Sequence, residues 1–158
     1  MNIECGDCSD FVELTERTFG KILDQFGFHP VQCESDHDGR ECLLMAESER
    51  CRLLFVRSDG SDNCGLGSLG AEFPAGGFDS HADTGWYHVV TLLEFKSGKR
   101  LLTRRLLDKF LEGKESYFAW QADLLSKNVE SLFDLFREGD EATWKDEFFR
   151  FSKAQIKR

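Results

Sequence analysis

The chain is 158 residues long, carries a net charge of −9 and is 41% hydrophobic, with 15 phenylalanines. This composition supports one domain with a substantial core and excludes a disordered chain. No apolar run is long enough to span a membrane, and the first residues lack the segments of a signal peptide. We therefore expect a single cytoplasmic domain over residues 1–158, without membrane contact and with reduced cysteines. Residues 1–9 are expected to be flexible and residues 74–85 to form an exposed loop.

A helix is predicted from Asp10 to Phe26, because apolar side chains recur there at intervals of three and four residues. Asp10 and Glu13 have the spacing of a capping box at its start. Gly27 is a suitable residue to end the helix, and Pro30 prevents it from resuming.

A small, mainly antiparallel sheet is predicted to follow this helix. The segments RECLLMAE (40–47) and CRLLFVRS (51–58) are apolar runs separated by a charged turn, which is typical of a hairpin. A strand is expected before them near Val31–Ser35. The segment CGLGSLGAEF (64–73) is expected to add a fourth, weak strand after them.

The last part of the chain is predicted to be helical. The segment 86–96 mixes strand-favouring residues with helical spacing, and we favour a helix. Further helices are predicted over 99–113, from Ser116 to Arg137 and from Ala142 to Ile156, each with apolar residues on one face. An N-terminal helix, a small sheet and then three to four helices define an α+β fold.

The opening pair Cys5 and Cys8, within the segment CGDC, is the clearest candidate for metal or redox chemistry. With His29 and Cys33 it has the spacing Cys-x2-Cys-x20-His-x3-Cys, and zinc prefers thiolate and imidazole ligands. However, the intervening helix is about 25 Å long and separates the two ligand pairs. We therefore favour plain thiols on a flexible terminus, with zinc ligands and a redox pair at the start of the helix as the alternatives. Two further cysteines, Cys42 and Cys51, are expected to be small core residues.

Two other patterns are candidates for chemistry. The segment GLGSLG (65–70) matches a dinucleotide-binding pattern, but the EFPAGG that follows cannot begin the required helix. Its glycines therefore predict a bulged or edge strand. His81 and His88 lie near Asp79 and Asp83, in a segment whose glycines and aspartates favour a solvated loop over a catalytic site. We assign no catalytic residue and do not favour an enzyme.

Charge is distributed unevenly along the chain. Residues 1–86 contain six basic and 17 acidic side chains, a net charge of −11, whereas residues 87–158 contain 14 and 12, a net charge of +2. An acidic front half disfavours nucleic acid and suits a basic protein partner. The second half has one basic cluster, which lacks interleaved aromatic residues and is expected to be a solvated helix face. Its members are Lys96, Lys99, Arg100, Arg104 and Arg105.

This order of elements in a small acidic chain, from Phe11 to about Ile156, resembles the bacterial immunity-type proteins, which block a toxin or enzyme by binding it. The resemblance implies a non-catalytic protein-binding module, of immunity or inhibitor type, that neutralises a basic toxin or enzyme. Acidic side chains of the first half would then contact the partner, because complementary charge speeds encounter. The candidates are Glu34, Asp36, Asp38, Asp59 and Asp62.

Two other functions stay open on the sequence alone. A zinc-stabilised adaptor would use Cys5, Cys8, His29 and Cys33 as ligands. An uncharacterised enzyme would use the loop from His81 to His88. The sequence indicates neither the identity of a partner nor the oligomeric state.

Overall fold

The computed structural model describes residues 1–74 and 84–156, and within them the chain has the predicted α+β fold. The strands are β1 (His29–Asp36), β2 (Glu41–Glu47), β3 (Arg52–Ser58), β4 (Ser61–Gly67) and β5 (Trp86–His88). The helices are α1 (Ser9–Gln25), α2 (Val89–Ser97), α3 (Arg104–Leu111), α4 (Tyr117–Phe133) and α5 (Glu141–Ile156). Of the predicted loop over 74–85, residues 75–83 lie outside the described part of the chain.

Helix α1 begins one residue before the predicted start, and its capping box does not form. Cys8 is the N-cap residue, and its side chain makes no cap hydrogen bond. Asp10 lies inside the first turn, where it accepts from the backbone N–H of Phe11 at 3.0 Å. The C-terminal end is as predicted, because Gly27 adopts a φ of +69° and the N–H of Phe28 returns to the carbonyl of Leu23.

The five strands form one antiparallel sheet in chain order, β1-β2-β3-β4-β5. The β2–β3 hairpin is the one that the sequence predicts, and its register pairs Leu44 with Phe55. Strand β1 pairs only with β2 and carries a bulge between Pro30 and Gln32. Strand β4 starts earlier than predicted and pairs with β3 along its whole length.

Helices cover one face of the sheet through a cluster of phenylalanine rings. Phe19 of α1 lies 4.8 Å from Phe55 of β3 and 4.9 Å from Phe118 of α4, measured between ring centroids. The rings of Phe55 and Phe118 meet edge to face at 6.3 Å. All three side chains are buried, so this cluster joins α1, the sheet and α4 in one core.

The opposite face of the sheet has a smaller core around Trp86, which explains the glycine at position 67. A Cβ at Gly67 would lie 2.9 Å from the Trp86 ring, so only glycine leaves space for the indole there. The indole N–H donates to the carbonyl of Glu72 at 2.7 Å. The predicted bulge or edge was therefore wrong, since β4 pairs without a bulge and lies between β3 and β5. The smaller core contains Met45, Leu54, Val56, Ala71 and Trp86.

The ambiguous segment 86–96 contains both structures that its pattern suggests. Residues Trp86–His88 form β5, and α2 begins at the next residue. His88 makes the junction, because its Nδ1 accepts from the backbone N–H of Val90 at 3.2 Å and caps the helix.

The later helices follow the predicted pattern with shorter bounds. The segment predicted as a helix over 99–113 is helical only over Arg104–Leu111. Helix α4 ends at Phe133 and continues as a 3-10 turn over Asp134–Phe136. Helix α5 begins at Glu141, one residue before the predicted start.

The side chain of Gln121 completes the sheet where β5 ends. Strand β5 pairs with Gly65–Gly67, and no described strand pairs with the outer edge of β4 before residue 65. The fully buried Gln121 accepts from the N–H of Cys64 at 2.7 Å and donates to the carbonyl of Asp62 at 3.0 Å. One amide thus replaces the missing strand and satisfies both backbone groups.

We predict that Gln121→Leu lowers the free energy of unfolding by about 2 to 4 kcal/mol, because it leaves two backbone groups of β4 without partners. Urea unfolding measured by circular dichroism tests this. Gln25→Leu, at an exposed site on α1, is the matched control and should change stability by less than about 0.5 kcal/mol. Equal losses in the two variants would contradict the role of the amide.

Candidate protein-binding surface

Two disulfides fasten the first residues of the chain to the β1–β2 hairpin. Cys5 is bonded to Cys33 of β1, with their Cα atoms 5.3 Å apart, and Cys8 to Cys42 of β2, with Cα atoms 6.0 Å apart. Between the two linked residues the chain forms a 3-10 turn, Gly6–Cys8. Cys8 and Cys42 are buried completely, and Cys5 nearly so.

These bonds correct two predictions. Four of the six cysteines are oxidised rather than reduced, and two of them, Cys5 and Cys8, attach the first residues of the chain to the sheet. Cys42, predicted as a plain core thiol, forms a disulfide, whereas Cys51 is a buried free thiol as expected. Disulfides persist in oxidising compartments, so they stand against the cytoplasmic location that the sequence suggests.

The four predicted zinc ligands do not come together. Cys5 and Cys8 are each bonded to a different strand, and His29 lies at the start of β1, opposite Glu47. Four residues of extended strand separate His29 from Cys33, a distance of about 13 Å. A tetrahedral zinc site needs all ligands within about 2.3 Å of the metal, which this arrangement does not provide.

The turn that links β1 to β2 packs directly on the disulfide-bonded N-terminal turn. Gly39 has a φ of +84°, and a Cβ at this position would overlap the carbonyl oxygen of Asp7. His37 and Asp38 also adopt left-handed backbone conformations, with φ of 51° and 57°. The contact with residue 7 and the disulfides together hold this turn in one conformation.

Three predicted partner-binding residues lie on two neighbouring turns at this end of the sheet. Asp36 is the last residue of β1 and Asp38 lies in the β1–β2 turn, whereas Asp59, with a φ of 51°, lies in the β3–β4 turn. Alternate turns of an antiparallel sheet in chain order lie at the same end, and a cleft of about 670 Å³ touches both. All three aspartates are exposed. We call Asp36, Asp38 and Asp59 the acidic end.

The other two predicted residues differ from these three. The side chain of Asp62 is only 18% exposed and forms a bidentate ion pair with Arg57, with nitrogen–oxygen distances of 2.8 and 3.0 Å. The Arg57 guanidinium also lies 4.8 Å from the centre of the Phe11 ring, so Asp62 helps to hold the sheet against α1. Glu34 is exposed on β1, two residues before Asp36, and accepts from the side chain of Gln32 at 3.3 Å.

Among the described residues, one group has the spacing of metal ligands. Ligand atoms of Asp36, His37 and Glu41 lie within 4.8 Å of one another. His37 Nε2 is 3.6 Å from the Asp36 carboxylate and 3.7 Å from that of Glu41. Carboxylates and an imidazole could bind a divalent cation, but exposed acidic groups commonly lie together without one.

The loop suggested for catalysis is only partly described. His81, Asp79 and Asp83 lie outside the described residues. His88 caps α2 with one ring nitrogen, and its Nε2 lies 2.8 Å from the side-chain oxygen of Asn63. Both ring nitrogens of this histidine therefore have structural partners.

The basic cluster of the second half is exposed to solvent. It follows the last turn of α2 and the start of α3, and each of its five residues is exposed. Lys96 donates to the carbonyl of Ser131 at 2.8 Å, and Arg104 pairs with Asp108 at 3.2 Å. This matches the solvated helix face that the sequence predicts.

The chain matches no family model, no curated protein and no solved structure. In residues 1–74 and 84–156 no helix is both long and apolar enough to cross a membrane. An argument about function therefore depends on the chemistry of the surfaces described above.

The two free cysteines lie deep in the core and are poorly ionised. Burial raises the pKa of the Cys51 thiol from 9.0 to about 12, although Ser48 and Arg50 partly oppose this shift. Burial also raises the pKa of the Cys64 thiol. Neither thiol is suited to act as a nucleophile near neutral pH.

These shifts predict a loss of stability at alkaline pH. In the unfolded chain Cys51 releases its proton near pH 9, whereas in the folded chain it keeps the proton until about pH 12. The contribution of this thiol to the free energy of unfolding is therefore complete below pH 9 and declines above it. Urea midpoints at about pH 8 and about pH 10.5 measure the decline. The double variant Cys51→Ala, Cys64→Ala should lose less stability between the two pH values. An identical loss would contradict the assignment.

The disulfide pattern predicts a mass and a stability change. The purified chain should lack four hydrogens relative to the reduced chain, and non-reducing peptide mapping should join Cys5 to Cys33 and Cys8 to Cys42. The bonds close loops of 28 and 34 residues, so removal of either should cost about 4 kcal/mol in the chain-entropy estimate. The double variant Cys5→Ser, Cys33→Ser tests one bond without leaving an odd thiol. Bound zinc, or a fully reduced mass in non-reducing buffer, would contradict the pattern.

Proposed function

We propose that this protein is a non-catalytic binding module, of immunity or inhibitor type, that neutralises a basic protein through the acidic end. The observation that carries the proposal is the placement of Asp36, Asp38 and Asp59 at one end of the sheet, where all three are exposed. A basic enzyme or toxin has the opposite charge, and complementary potentials speed its encounter with such a surface.

The rigidity of the acidic end favours binding over a solubilising role. The β1–β2 turn is held by the Cys5–Cys33 and Cys8–Cys42 bonds and by the close contact of Gly39 with residue 7. A surface already ordered before binding loses less conformational entropy in the complex. Carboxylates that serve only for solubility need no such fixed geometry.

The ion pairs nearby leave the carboxylates of the acidic end available. Arg57 is occupied by Asp62, and its longer contact at 3.6 Å is with Asp10, outside the acidic end. The Asp36 side chain is 74% exposed, and His37 Nε2 lies 3.6 Å from its carboxylate. A partner's lysine or arginine can therefore reach these oxygens without breaking a strong internal pair.

We predict that the protein binds at least one member of a panel of basic enzymes with a Kd of about 1 μM or tighter at physiological salt, and inhibits it. The panel is egg-white lysozyme, pancreatic ribonuclease A and barnase. The triple variant Asp36→Asn, Asp38→Asn, Asp59→Asn should weaken binding about tenfold or more, mainly through a slower association rate. Asparagine retains the hydrogen-bonding shape of aspartate and tolerates left-handed φ, so the turns should stay folded. Biolayer interferometry measures both rate constants.

The matched control removes three carboxylates elsewhere on the surface, in the variant Asp24→Asn, Glu138→Gln, Glu147→Gln. Both triple variants change the net charge equally, so the control should change the Kd by less than about twofold if location matters. Equal weakening in both variants would mean that only net charge acts. Absence of binding to all three enzymes would also count against the proposal.

A further inference from the structure

Helix α3 is the least covered helix among the described residues. It is strongly amphipathic, yet none of its eight residues is buried. Leu111 at its C-terminal end is 75% exposed, the highest value among the large apolar side chains described. Phe110 contacts the first turn of α4, at 5.2 Å from the Tyr117 ring and 5.3 Å from that of Trp120.

A groove runs between α3, the start of α4 and the β3–β4 turn, with a volume of about 670 Å³. Its apolar surface includes Leu102, Leu107, Phe110, Leu111 and Phe118. The volume is within the range of sites that bind one or two large side chains. We call this the α3 groove.

Charge in the α3 groove is only negative. Its two charged residues are Asp59 and Asp62, and the second is neutralised by Arg57. Burial and the neighbouring Glu94 raise the pKa of Tyr117 to about 12, so its hydroxyl adds no charge near neutral pH. Asp59 is also part of the acidic end, so the groove and the acidic end share the β3–β4 turn.

We propose that the α3 groove receives a basic amphipathic segment of the partner protein, with a large aliphatic side chain against Leu107 and Leu111 and a lysine or arginine at Asp59. This inference deepens the proposed function and rests on it. The leucines favour an aliphatic side chain, because burying its apolar surface contributes favourable free energy. The carboxylate of Asp59 favours a cationic side chain beside them. An acidic peptide or a nucleic acid would meet an uncompensated like charge there.

A synthetic peptide built only of leucine and lysine, with leucines at helical spacing, is the probe. We expect it to bind the full chain, with amide shifts in nitrogen–proton correlation spectra concentrated at residues 59–63 and 102–118. A second peptide with serine in place of leucine has the same charge and no apolar anchor, and it should bind at least about fivefold more weakly.

Two variants test the apolar surface and the carboxylate of the α3 groove separately. Leu111→Ser should raise the Kd for the leucine–lysine peptide about fivefold or more, and Asp59→Asn should do so by a similar factor. Leu69→Ser is the matched control, because Leu69 is 43% exposed but lies in a different cleft, beside Arg50 and Phe136. Both 111 and 69 are surface positions, so these variants should fold.

The outcomes separate this inference from the proposed function. If Asp59→Asn weakens binding, but Leu111→Ser does not and the serine peptide binds as tightly as the leucine–lysine peptide, the inference about the α3 groove is wrong. The proposed function of the acidic end is then unaffected. If binding to the basic enzymes fails in the wild type, the proposed function fails whatever the peptide does. If sedimentation shows a dimer that Leu111→Ser converts to monomer, a second copy covers the groove and the inference is wrong.

Discussion

The contact of Phe19, Phe55 and Phe118 is the interaction on which the other features of this protein depend. It places α1 and α4 side by side on the sheet, one ring from each element. Gln121 follows Phe118 by one helical turn, so the same packing brings its amide to the open edge of β4. The first turn of α1 is likewise held near β2, where Cys8 reaches Cys42. Loss of this cluster would remove the sheet edge and the acidic end together.

The acidic end shows how a carboxylate's surroundings decide its role. Asp59 and Asp62 are three residues apart on one hairpin, yet Asp62 is turned to Arg57 and holds the structure together, while Asp59 is exposed on the turn. The acidic end thus presents three exposed carboxylates at defined positions. Like charges gathered at one end of the sheet cost folding energy, and the two disulfides offset part of that cost by restricting the unfolded chain.

The sequence predicts the α+β order, the β2–β3 hairpin and most helix limits, because apolar periodicity and the turn at Gly27 act over a few residues. It does not predict the disulfides, since six cysteines permit many pairings and the decision depends on which strands meet. The spacing of Cys5, Cys8, His29 and Cys33 predicts one zinc site. In the fold Cys5 and Cys33 are instead bonded to each other, and His29 lies apart from them at the start of β1. Gln121 gives no local signal at all, because its role depends on a strand end 57 residues away. Asp59 and Asp62 looked equivalent until the position of Arg57 was known.

The positions of the three tryptophans allow the intrinsic fluorescence of the chain to report on its structure. Trp86 and Trp144 are buried in two different cores, so their emission follows global unfolding. Trp120 is half-buried and touches Phe110 at the edge of α3, where a change in solvent contact would alter its emission while the fold stays intact. With the two buried indoles replaced by phenylalanine, the remaining fluorescence would describe one helix surface alone, without any attached dye.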